Sequence, residues 1–300
     1  NAVVLANPLS PAEADGVLIA EHGVLFHAGR RLPASTGEWV EASRLFSLEA
    51  ASEKEQSFDR NAYELLCQAQ GRYLAFCEGD DYWTAPDKLA VQYAFLEEHP
   101  DLIGCTHRCV VVDEHGDPLP KQRISWVREK PRFTLRDFQG IYLPGQTATI
   151  MKRNIFLDKN GDLSFLYEAN RNVSDRTATL LYLTKGDFGL IPRVMSAYRR
   201  VRRGPQSQTD QLYTHNPDVA RMELAYTERL EETAARLTSE RGLFKPYYQR
   251  LYAAAVYRYL RSPSKGGRET VALIGRHLGG GGVHPAAFVA GVARRIADAL

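Results

Sequence analysis

The hydrophobic pattern along the chain changes period several times. Val3-Val4-Leu5-Ala6 is a short apolar run of strand type, and Ser10-Pro11-Ala12-Glu13 has the form of a capping box with proline at the first helical position. The spacing predicts a helix from there to about Glu21, with Gly23 near its end. Val24-Leu25-Phe26 reads as a second strand and Arg44-Leu45-Phe46 as a weak third. Phe58, Ala62, Leu65, Leu66 and Ala69 recur at helical spacing, and Gly71 stops that helix. Tyr73 to Cys77 is then a buried-type strand. This alternation argues for an open, largely parallel α/β sheet.

Beyond Trp83 the pattern continues. Pro86 opens a helix with Leu89, Tyr93 and Leu96 on one face, and Pro100 ends it. Ile103 to Val112 is strand-like, Asp113 to Pro118 is a turn, and Tyr142 to Asn154 holds another strand. Ser174 caps a helix running to Lys185, closed by Gly186, and Phe188 to Ile191 is a strand. From about Pro217 the chain reads as helix only, over 218–240, 245–261, 268–278 and 285–299. Gly279 to Gly282 forms a hinge before the last helix. In that helix Phe288, Val292, Ile296 and Ala299 share a face. Packing on the parent domain is the expected use of this face. A second copy of the chain and a membrane surface are the alternatives.

Composition narrows the class. Of 300 residues, 44% are hydrophobic and 25% charged, which is ordinary for a globular protein. The net charge of +2 gives no argument for nucleic acid as a partner. No apolar run reaches the ~20 residues that span a bilayer, and no secretory signal is visible, so a cytoplasmic, at most membrane-peripheral, protein is expected. The four cysteines, Cys67, Cys77, Cys105 and Cys109, lack zinc-site spacing and are expected to be buried free thiols.

The chemistry concentrates where the strand Tyr73 to Cys77 ends in Glu78-Gly79-Asp80-Asp81. In open α/β sheets ligands sit beyond the carboxyl ends of strands. Carboxylates two residues apart can share a hard cation such as Mg²⁺ or Mn²⁺, leaving positions for phosphate oxygens. An acidic turn alone more often serves only solvation or helix capping.

The surroundings change that balance. "GRYLAFCEGDDYWTAPDKLAVQYAFLEEHPDL" resembles the centre of family 2 glycosyltransferases, and the resemblance extends to "RNAYELLCQAQ", "YLPGQTATIMKRN" and "NVSDRTATLLYLTKGDFGLIPRVMSAYRR". It covers roughly residues 44–207. It implies a GT-A-type, Rossmann-like open mixed sheet flanked by helices over 1–207, with a helical extension over 208–300. It also implies inverting transfer of a sugar from a nucleotide-diphosphate sugar to a hydroxyl acceptor, which could be a glycan, a lipid-linked intermediate or a small molecule.

The resemblance further assigns Asp80 and Glu78 to the metal, which is Mg²⁺ or Mn²⁺. Glu78, Asp80, Asp81, Arg199 and Arg202 fall to the donor, and Asp175 is the catalytic base. On its own Asp175 reads as a first-turn acid complementing the helix dipole. Arg199 and Arg202 belong to a basic stretch that suits a diphosphate. Gln146 and Thr147 fall where relatives form the acceptor pocket. Trp83 reads equally as core beneath the metal loop or as a face for the acceptor sugar.

Two departures stand out. Val201 occupies the place of a metal-binding histidine, and residues 1–43 lack the acid that reads the nucleotide base, since the second strand ends in "FHAGRR". A degenerate module that binds carbohydrate or nucleotide without turnover is therefore the second reading. A sugar nucleotidyltransferase, the third, would want a glycine-rich basic phosphate loop after the first strand, and "ANPLSPAEADG" supplies none.

Overall fold

The computed structural model describes residues 66–67, 69, 71–77, 81–158, 163, 165–168, 175–200, 216 and 218–281, together with the backbone of four strands before residue 32. The expected strand at Arg44 to Phe46, most of the helix before Gly71, the last helix, and the site residues Glu78, Asp80 and Arg202 lie outside the described residues. The chain divides into two compact units, residues 1–138 with 142–202, and residues 139–141 with 203–300.

The first unit is a mixed α/β fold around one sheet. Its strands are β1 (Ala2–Ala6), β2 (Leu18–Glu21), β3 (Val24–His27), β4 (Arg30–Arg31), β5 (Tyr73–Cys77), β6 (Tyr82–Trp83), β7 (Leu102–Val112), β8 (Arg132–Phe133), β9 (Met151–Arg153) and β10 (Asp187–Arg199). They lie in the order β4-β3-β2-β1-β5-β9-β7-β10-β6, with β8 also paired to β10. Among these strands only β7 and β10 pair in parallel, and the other strand pairings are antiparallel.

This corrects two expectations. The sheet is not largely parallel, and residues 18–21 form the first arm of a hairpin with β3, not the end of a helix. The tetrapeptide Leu-Ile-Ala-Glu fits either period, and cross-strand pairing overrides so short a local preference.

Because β9 runs against both β5 and β7, while β7 and β10 are parallel, β5, β7 and β10 all point the same way. Their carboxyl ends therefore share one edge of the sheet. Across its centre Ala75 stands opposite Met151, Met151 opposite Cys105, and Cys105 opposite Gly189.

That row faces the helix α1 (Lys88–Glu98). Tyr73, Ala75, Cys105, Met151, Met195 and Leu96 form one core cluster there, with Trp83, Leu89 and Tyr93 packed against it. The most buried positions of α1 are Lys88, Gln92 and Leu96, so a lysine and a glutamine lead the inward face beside the expected apolar residues. Asp87, the residue before α1, accepts from both terminal nitrogens of Arg193 on β10, at 2.7 and 2.9 Å, fixing where the helix starts against the sheet.

The opposite face carries Leu74 and the second cluster, with Ala69, Phe156, Leu163, Leu166 and Leu181. It is covered by α3 (Phe165–Glu168) and α4 (Asp175–Leu183), and α2 (Leu135–Phe138) packs against α4. Gly104 on β7 has Phe188 lying over it, and a Cβ there would sit 2.4 Å from the ring.

The strand expected over Phe188 to Ile191 is longer. β10 runs through Pro192 to Arg199, with register shifts on both sides of Val194. Proline cannot donate to a ladder, and the bulge accommodates it.

The second unit is helical: α5 (Val219–Leu237), α6 (Lys245–Arg261) and α7 (Lys265–Gly275). Leu224, Leu230, Ala234, Tyr248, Leu251 and Ile274 are buried, and Tyr248 stacks on His277 at 4.4 Å between ring centroids. Ser264 caps α7, accepting from the Gly267 N–H at 3.0 Å. Gly279 to Gly281, expected as part of a hinge, belong to a 3-10 helix over Arg276–Gly281. Of the four free thiols, Cys77 and Cys105 are buried as expected. Cys67 is exposed and Cys109 half-buried, which corrects that reading. No described helix is long and apolar enough to cross a membrane.

Candidate functional site

Three residues far apart in sequence meet at the carboxyl edge of the sheet. Asp81 follows β5 and precedes β6, and it is only 2% exposed. Its Oδ1 accepts the backbone N–H of Arg199, at the end of β10, at 2.9 Å. Its Oδ2 accepts from the Gln146 carboxamide Nε2 at 2.5 Å. The other end of that carboxamide, Oε1, accepts the N–H of Ala148 at 2.7 Å and so caps a 3-10 turn over Thr147–Thr149. Thr147 opens that turn and is partly exposed.

The turn is tied down from two further directions. The Trp83 indole N–H donates to the Ala148 carbonyl at 3.1 Å. The Gln92 Nε2 donates to the Thr149 carbonyl at 2.9 Å. Trp83 itself packs against the α1-side core, with the Lys88 ammonium 4.1 Å from its ring centre. Lys88 donates to Gln92 Oε1 at 2.6 Å, and burial pushes its amine down to about 7.

Arg199 extends past the edge. Its guanidinium donates to the Glu114 carbonyl at 2.6 Å and lies 5.5 Å from the Tyr82 ring centre.

Asp175 opens α4 on the other face of the sheet. Burial pushes its carboxyl above the ordinary carboxylate value, and the Lys152 ammonium pulls it back down. Lys152 projects from β9 between two aromatic rings, 4.4 Å from the Phe76 centre and 4.1 Å from that of Tyr182. Burial lowers its amine to about 8, and Asp175 opposes that fall. The result is a carboxylate more basic than usual and held near a cation.

Beside Gln146 lies a cavity of about 230 Å³, lined among others by His107, Cys109, Ile124, Val127, Glu129 and Gln146. Sequence reasoning missed His107, Lys88, Gln92 and Lys152. Their signals were weak: a histidine in a strand and lysines in amphipathic runs are usually exposed or structural.

The described residues thus bring Asp81, Trp83, Gln146, Thr147 and Arg199 into one neighbourhood. Among the described residues no group of three His, Cys, Asp or Glu side chains could hold a metal ion. Asp81 is engaged by two protein donors, and Glu78 and Asp80, the expected metal ligands, lie outside the described residues.

No family model matches the chain. Among curated proteins, one from Mycobacterium bovis and two from Mycobacterium tuberculosis, all described as uncharacterized, are 30% identical over 156 residues. The alignment spans 48% of this chain and 39% of each relative, so the chain spans about two fifths of the length of the curated relatives it matches. Among solved structures, S. aureus TarS 1-349 overlays with a TM-score of 0.42 at 14% identity, covering 79% of this chain and 61% of that one. A second S. aureus TarS structure overlays with a TM-score of 0.35 at 15% identity, covering 78% and 41%.

Proposed function

We propose that the chain carries a glycosyltransferase site that moves a sugar from a nucleotide-diphosphate sugar to a hydroxyl acceptor with inversion. What supports the reading is the convergence on Asp81: the end of β5, the Gln146 turn and the end of β10 are joined through one buried carboxylate. These three positions carry the sequence resemblance, and Gln146 and Arg199 lie 65 and 118 residues from Asp81 along the chain.

In this reading Asp175 takes the proton of the acceptor hydroxyl as its oxygen attacks the anomeric carbon, and the diphosphate leaves with the bonding pair. Burial makes Asp175 the better base. Arg199 and Arg202 offset charge on the diphosphate, and Gln146, Thr147 and Trp83 shape the acceptor side. Glu78 and Asp80 would hold Mg²⁺ or Mn²⁺, which when bound supplies charge neutralisation of the leaving group.

A thermal-shift panel of nucleoside diphosphates tests this, with and without Mn²⁺. A ligand that binds only the folded state raises the melting temperature, by an amount set by its concentration over Kd. One nucleotide is expected to stabilise the protein in Mn²⁺ and to lose that effect in chelator. No stabilisation by any nucleotide would count against the reading and favour the module that has lost its donor site.

A further inference from the structure

Charge is segregated along the second unit. Between Arg241 and His277 the chain carries eight arginines and lysines and a single acid, Glu269, although the whole chain is only +2. Four of the eight, Arg258, Arg261, Lys265 and Arg268, fall in one corner, where α6 ends and α7 begins. Every residue from Leu260 to Gly266 is exposed. Tyr259 lies over Gly267, where an added Cβ would meet its ring at 3.2 Å. The end of α6 and the start of α7 are thus packed into one tip.

Helix electrostatics account for only half of these cations. Arg258 and Arg261 stand in the last turn of α6, at the negative end of the helix dipole. Lys265 opens α7 and Arg268 completes its first turn, at the positive end, with no acid in that turn to offset them. Cations there are locally unfavourable. Glu269 pairs with Arg221 at 3.1 Å, and Arg261, Lys265 and Arg268 form no ion pair among the described residues. Leu260, between Arg258 and Arg261, is 70% exposed, more than any other large apolar side chain among the described residues. A leucine set among cations fits a surface that is anionic outside and apolar beneath. A nucleic acid offers phosphates but no apolar layer for Leu260.

We propose that the α6–α7 tip docks on an anionic lipid bilayer, with Leu260 entering the acyl boundary and Arg261, Lys265 and Arg268 on headgroup phosphates. This surface is independent of the transferase reading and of the apolar face expected over residues 285–299. One leucine buries little, so the attachment is reversible and weakens with salt.

The test sediments the whole chain with vesicles of phosphatidylcholine alone and of phosphatidylcholine mixed with phosphatidylglycerol, at low and high salt. Binding is expected only to the anionic vesicles and should weaken at high salt. Each basic side chain near such a surface contributes roughly fivefold, so Arg261→Gln, Lys265→Gln and Arg268→Gln together should weaken binding by at least about tenfold. The melting temperature of this variant should hold or rise, because two of the three charges oppose the α7 dipole. Leu260→Trp should keep binding, and its emission, taken as the difference from wild type, should shift to the blue on anionic vesicles and be quenched by brominated lipid. Equal sedimentation with neutral and anionic vesicles overturns the proposal. So does undiminished binding by the triple variant, or emission from Leu260→Trp that vesicles leave unmoved. Binding of a single-stranded oligonucleotide by a chain that ignores both kinds of vesicle would also overturn it and make the tip a nucleic-acid surface.

Discussion

Replacing Asp81 by alanine removes the acceptor for two donors at once, the buried Gln146 carboxamide and the half-buried Arg199 N–H. Each donor left unmatched costs ~1–3 kcal/mol, so Asp81→Ala should lose about 2–6 kcal/mol in urea denaturation. Asp81→Asn keeps one acceptor oxygen and should lose less. Equal stability of wild type and Asp81→Ala would mean that the bracket is not a structural tie. Lys88 makes a separate prediction. Its folded-state value of about 7 lies below the ordinary 10.5, so the unfolded chain binds more protons between these values. Stability from this group is therefore fully present above pH 10.5 and lost as pH falls toward 7. The melting temperature should rise from pH 7 to 9, by at most about 1.4 kcal/mol of stability per pH unit. Lys88→Met should flatten that slope, and parallel slopes would contradict the burial of a charged amine as its cause. Sequence alone placed Lys88 in a Pro-Asp-Lys-Leu helix start but gave no reason to bury it. Its cover, Trp83 and Gln92, comes from tertiary packing.

At the scale of elements, the strands with apolar runs were legible: β1, β3, β5, β7 and β9 lie where period and turn residues put them. The failures have local causes. Leu18–Glu21 is too short for its period to decide, and the proline in β10 disguises a strand that continues through a bulge. Strand direction is not written in hydrophobic periodicity at all, so the antiparallel majority was invisible. The tight pairing of β7 with β10 makes a prediction here. Gly104→Ala would put a Cβ 2.4 Å from the Phe188 ring and 3.0 Å from the Met151 carbonyl. Overpacking of this kind costs ~1–3 kcal/mol. In α7, by contrast, a Cβ at Gly266 meets nothing within 4 Å. Gly266→Ala should therefore stabilise by about 0.5–1 kcal/mol through helix propensity and unfolded-state entropy. Opposite signs in denaturant midpoints check both, and a neutral Gly104→Ala would show that Phe188 moves aside freely.

At the scale of the whole molecule, the proposed function rests chiefly on the order of motifs. Asp81, Gln146 and Arg199 were picked out from separate stretches, and their contact depends on β5, β7 and β10 running in one direction. His107 and Lys152 escaped because their importance lies in what surrounds them, a cavity in one case and two aromatic rings in the other. The central claim is sugar transfer with Asp175 as base. It is tested most directly by release of nucleoside diphosphate from a panel of nucleotide-diphosphate sugars in Mn²⁺, for wild type and Asp175→Asn, with melting temperatures measured alongside. Burial raises the Asp175 value, so wild-type turnover should fall with acid at a pH above the ordinary carboxylate range of about 4. General-base assistance contributes ~10²–10⁴-fold, and release by Asp175→Asn should drop by about that factor while the protein stays folded. Undiminished release by a folded Asp175→Asn protein, or no release from any donor by the wild type, would contradict the account.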